Sequence, residues 1–96
     1  MSRWALKQTK LFTEAIGKCR FRFVKMKNTY GWIIGRLILI DHSRGDVLAT
    51  FAHELFHYLY PNLTQKEITM LEKKYIKESS WNNKKALMQA IVNIER

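Results

Sequence analysis

Residues 47–60 read VLATFAHELFHYLY, and the fold turns on how this stretch is phased. Leu48, Phe51, Ala52, Leu55 and Leu59 recur at the intervals of a 3.6-residue period and form one continuous apolar stripe. Asp46 is suited to accept from the free N–H groups of the first turn, and Pro61 with Asn62 ends the pattern. On this helix His53 and His57 lie about 40° apart around the axis and nearly opposite the stripe. One side of the helix is therefore expected in the core, with the histidines facing a cleft. Glu54 falls about 100° round from His53, beside the pair.

The segments on either side of it read more simply. Thr64 followed by Glu67 is a capping-box pattern, opening a helix through about Ser79 with Ile68, Leu71 and Tyr75 inward. Ser79 or Ser80 caps a last helix whose apolar set is Trp81, Ala86, Leu87, Ala90, Ile91 and Ile94. Upstream, residues 3–16 set Trp4, Leu11, Ala15 and Ile16 at helical spacing, and Gly17 offers a stop. From Lys18 the pattern alternates, with Cys19, Phe21 and Phe23 between Arg20 and Arg22. It slips at Val24 and resumes at Met26, which predicts a half-buried strand with a bulge. Asn28 to Gly31 supplies a turn, and Trp32–Asp41 (WIIGRLILID) a second, more buried strand. The two strands are expected to pair as an antiparallel hairpin. The order α-β-β-α-α-α defines an α+β domain, its small antiparallel or mixed sheet of two to three strands packed with helices.

The pattern His53-Glu54-x-x-His57 is the HExxH arrangement. Two imidazoles one turn apart reach one metal ion, and a carboxylate beside them is placed to act on a water rather than bind the metal. That chemistry points to Zn2+ and to Glu54 as general base. A catalytic zinc keeps three protein ligands and an open position. No histidine or cysteine follows His57, which argues against groups whose third ligand is a downstream histidine, the SprT-like proteases among them. Glu67, Glu72 and Glu78 remain. A tight turn from Pro61 to Thr64 makes the two helices antiparallel, so Glu67 is expected at the height of His57, Glu72 nearer His53, and Glu78 beyond the site. Height favours Glu67 over Glu72, although Glu67 is also the capping-box acid.

HELFH followed by a glutamate on the next helix resembles the gluzincin clan of zinc peptidases, and a single domain this short is similar to the minigluzincins. The resemblance runs from about Tyr30 to Ser79. It implies His53, His57 and Glu67 as zinc ligands, Glu54 as base and proton shuttle, and strand Trp32–Asp41 as an edge that pairs with an extended peptide or protein substrate. Larger relatives carry an acid four positions after the ligand glutamate, where this chain has Leu71; Asp46 or a backbone carbonyl would then orient the first histidine. Minigluzincins are also similar in having a C-terminal segment able to cover the cleft. That casts residues 80–96 as a latch and the full chain as either active or latent.

Composition sets the remaining bounds. The chain has 96 residues, 47% hydrophobic and 26% charged, with one Pro and four Gly, as expected of a single domain over residues 1–96. One cysteine, Cys19, makes no intrachain disulfide and reads as a half-buried strand residue rather than a zinc thiolate. The opening residues lack the apolar core of a signal peptide, and no apolar run is long enough to span a membrane; the expected location is cytoplasmic. The net charge of +9 attracts anions, yet the basic residues are spread over several elements without a nucleic-acid motif. A zinc-binding protein without catalysis, contacting nucleic acid or an acidic partner through that surface, is the alternative to a peptidase. His42 reads as a turn residue, and Trp4, Trp32 and Trp81 as core.

Overall fold

The computed structural model describes residues 2–25, 31–41 and 46–94, with the backbone alone of Gly31, Trp32 and Ile94. The elements are α1 (Arg3–Ile16), β1 (Arg20–Phe23), β2 (Gly31–Ile34), β3 (Leu37–Ile40), α2 (Val47–Leu59), α3 (Gln65–Glu78) and α4 (Trp81–Ile94). Four helices and a three-stranded mixed sheet make an α+β domain. None of the described helices is long and apolar enough to cross a membrane. His42 and the bulge expected near Met26 lie outside the described residues.

The helix ends follow local chemistry. Asp46 accepts from the backbone N–H of Leu48 and of Ala49, at 3.0 and 3.3 Å, satisfying two donors of the first turn of α2. Asp46 is thereby committed to the cap. Thr64 and Glu67 form both halves of the expected capping box on α3, and Ser80 accepts from Asn83 N–H at the start of α4.

The sheet departs from expectation. Trp32–Asp41 is not one strand: it folds back at Gly35 and Arg36, so that β2 and β3 pair antiparallel with Ile34 opposite Leu37. Gly35 has φ +59°, and no other described residue has positive φ. A two-residue loop with positive φ only at its first position is the type II′ hairpin, whose twist matches the strands it joins. β1 does not form the expected antiparallel hairpin either; it runs parallel to β3, with Arg20 opposite Leu37 and Phe23 opposite Ile40. The order β1-β3-β2 puts β3 in the centre. The segment expected as a single substrate-pairing edge is therefore one edge strand, β2, and one strand paired on both sides.

Helix α2 is the hub. It packs against the sheet on one side and against α1, α3 and α4 on others. Phe51 meets Phe21 and Phe23 of β1, with ring centroids 5.1 and 6.0 Å apart. Phe56, outside the expected stripe, is fully buried; it meets Phe12 of α1 edge-on at 4.8 Å and Trp4 face-on at 6.1 Å. This second buried side exists because α1 lies across it. In α1 itself the buried line is Ala5, Gln8, Thr9, Phe12 and Ala15, so Phe12 and not Leu11 is the anchor. Its two polar members serve tyrosines: Thr9 Oγ1 lies 2.7 Å from Tyr75 Oη, and Gln8 Oε1 accepts from Tyr60. Helix α4 contributes Leu87 and Ile91 to the core and lies along α1. Trp81, expected inside, is 71% exposed, and Ala86 is exposed as well.

Candidate metal centre

The α2–α3 hairpin brings the chemistry together. Because the two helices run antiparallel, late α2 meets early α3: His57 Nε2 contacts Gln65 Oε1, and one turn back His53 Nδ1 lies 2.8 Å from Glu72 Oε1. Gln65 and Glu72 are seven residues apart, which returns a helix to within about 20° of the same face. Glu67 is two residues from Gln65, about 200° round, and its carboxylate accepts from Thr64 N–H at 3.0 Å. Its carboxyl is held below the usual range by that backbone hydrogen bond and by the Thr64 side chain. Glu67 thus caps α3 on a different side, and Glu72 is the acid at the histidines. Gln65 carries no signal in the sequence beyond its seven-residue spacing from Glu72.

A carboxylate only accepts, so the hydrogen bond to Glu72 puts a proton on His53 Nδ1 and leaves Nε2 with its lone pair. Burial pulls the His53 imidazolium down, but the bond to Glu72, a smaller one from Gln65 and the charges of Glu54 and Glu72 outweigh it and hold the pKa above its ordinary value. The two imidazole rings are 5.0 Å apart between centroids.

Glu54 is more deeply placed than the wheel suggests, only 5% exposed. Its Oε2 is buried without a hydrogen-bond partner. Burial pushes its carboxyl up to about 7, His53 pulling it back and Glu72 pushing it further. One ligand atom each from His53, Glu54 and His57 lie within 4.8 Å of one another. Ligand atoms around a tetrahedral zinc are about 3.3–3.6 Å apart, given bonds of roughly 2.0–2.2 Å, so modest rotamer closure fits one ion. A buried carboxylate oxygen without a hydrogen-bond partner beside two imidazoles is a donor set that suits a divalent transition metal. The three residues are thus a group able to hold a metal ion.

Cys19 stays apart from this group. Its thiol is pushed up by burial, against weaker pulls from a hydrogen bond with Tyr58 and the charge of Arg36. It is a thiol and not a thiolate ligand. No protein-family model, curated protein or solved structure matches this chain.

Proposed function

We propose that the protein is a zinc-dependent metallopeptidase of the gluzincin kind, with His53 and His57 as histidine ligands and Glu54 as general base. The observation that carries this reading is Glu54: a buried carboxylate with one unpartnered oxygen and a pKa near 7, beside two histidines at HExxH spacing. A purely structural site has no use for a base poised near neutrality, whereas acid–base work is most efficient there. Zinc, when bound, supplies a Lewis acid that polarises the scissile carbonyl and acidifies water. Glu54 takes the proton from the attacking water at its free oxygen and hands it to the departing amine nitrogen. Glu72 fixes His53 through Nδ1 so that Nε2 points its lone pair away from α3, the outer support common to histidine ligands. In this reading Glu72 replaces Glu67 as the α3 carboxylate that serves the metal.

Metal analysis with single variants tests it. His53→Ala is expected to lose zinc, and Glu54→Ala to keep zinc while losing hydrolysis of an unstructured peptide. Unchanged zinc in the His53→Ala protein sinks the centre. The burial of Glu54 favours a second reading, a silent zinc site in which Glu54 is itself a ligand. Loss of zinc in Glu54→Ala would establish that reading instead.

A further inference from the structure

The sheet carries a feature that the metal centre does not use. Between Gly17 and Ile40 the chain has six basic residues and no acidic one. Two of the described ones, Arg20 and Arg22, come together on β1. Phe21 and Phe23 turn toward Phe51 in the core, so Arg20 and Arg22, both exposed, stand on the opposite face of β1. The register sets Arg20 beside Leu37 and Arg22 beside Leu39, and Ile34 across from Leu37. The Arg36 carbonyl accepts from Arg20 N–H at 2.8 Å, closing the first end of this pairing. A hollow of about 670 Å³ opens here, lined by Cys19, Arg20, Arg22, Val24, Leu37 and Leu39 among others. Ile34 at its margin is 58% exposed. The sequence reads as basic residues scattered over several elements; on β1 Arg20 and Arg22 share one open face, and parallel pairing with β3 lays Leu37 and Leu39 beside them.

We propose that this face is a docking surface for single-stranded nucleic acid, formed by Arg20 and Arg22 beside the apolar ground of Ile34, Leu37 and Leu39. Charge complementarity demands a polyanion, since no carboxylate in the segment offsets the field. Two features favour a nucleic-acid strand over an acidic polypeptide. The facing cations are arginines, whose planar fork matches phosphate and also lies flat on a base. Arg20 and Arg22 stand about 6.6 Å apart, two strand residues, beside an apolar hollow of Leu37 and Leu39 against which a base can pack.

The test is fluorescence anisotropy of the full chain with a labelled oligothymidine of about 16 nucleotides. Arg20→Glu/Arg22→Glu and a control pair on α4, Lys84→Glu/Lys85→Glu, each lower the net charge by the same four, from +9 to +5. The arginine pair is expected to weaken binding roughly tenfold or more and to flatten the log–log salt slope by about 1.4, two phosphate contacts' worth. The lysine pair should stay within about threefold of the parent. Arg20→Gln/Arg22→Gln, with a far-UV spectrum unchanged from the parent, guards against misfolding and should weaken binding as well. Equal weakening by the two charge-reversed pairs would overturn the proposal in favour of diffuse attraction. Displacement of the oligonucleotide by polyglutamate at equal charge would overturn it in favour of an acidic polypeptide.

Discussion

Helices α2 and α3 gather His53, Glu54, His57 and Glu72 in one hairpin, while the sheet on which α2 packs carries no carboxylate at all from Gly17 to Ile40. One region crowds acids and imidazoles into partial burial, where burial lifts the Glu54 carboxyl and Glu72 holds the His53 pKa up against burial. The other spreads guanidinium groups across an open face. The first calls for a cation to settle an unpartnered oxygen, the second for a polyanion. The apolar side of α2, with Phe51 and Leu55, and the inner face of the sheet, with Phe21, Phe23, Ile38 and Ile40, separate the two demands, so each can be perturbed with little effect on the other.

The largest expected effect removes what both regions share. Deleting residues 80–96 takes Leu87 and Ile91 out of the core. Each alone is worth about 2–5 kcal/mol on truncation, against a total stability of about 5–15 kcal/mol for a domain. The shortened chain is expected to lose its cooperative thermal transition by circular dichroism. A folded, more active truncated chain would instead make α4 a removable cover.

Next in size is Glu54→Gln in the metal-free protein. The folded carboxyl titrates near 7 against an ordinary 4.5, so its ionised form opposes folding. That penalty is fully present above pH 7 and is relieved as pH falls from about 7 toward 4.5. The rise corresponds to roughly 3 kcal/mol. With chelator at pH 8, Glu54→Gln should raise the urea midpoint, and the gain should shrink toward pH 5. A pH-independent difference would mean that Glu54 is not ionised against burial. The third effect is on zinc: Glu72→Gln should weaken affinity about 10–100-fold, the usual consequence of losing a histidine's outer partner. Glu67→Gln should lower Tm slightly through the α3 cap and leave zinc alone. The reverse ranking would restore Glu67 as the acid of the centre.

The smallest effect belongs to the sheet. Gly35 holds φ +59° with open space where a Cβ would sit, so Gly35→Ala meets backbone strain alone, about 1–2 kcal/mol. The denaturation midpoint should fall accordingly with zinc content unchanged. A neutral substitution would break the type II′ assignment and reopen the pairing of β2 with β3.

What was legible follows from what is local. Helical period, Asp46, the Thr64–Glu67 box and the four-residue spacing of His53 and His57 all act within a few residues of themselves, and each is found where the sequence puts it. Phe12 and Phe56 were missed because a wheel shows which residues share a side, and only the neighbouring helix decides which side is covered. Glu72 illustrates the same limit. Height along the hairpin ranked it behind Glu67, but rotation about α3 aligned it with Gln65 and brought it to His53.

The sequence by itself therefore determined the helices, their caps and the HExxH group, because hydrogen bonds and side chains within one turn specify them. Tertiary structure alone decided that β1 joins β3 in parallel and that Glu54 is buried. These depend on segments far apart in sequence, whose pairing is chosen by the apolar area they bury together. The same pairing lays Leu37 and Leu39 beside Arg20 and Arg22 on one open face.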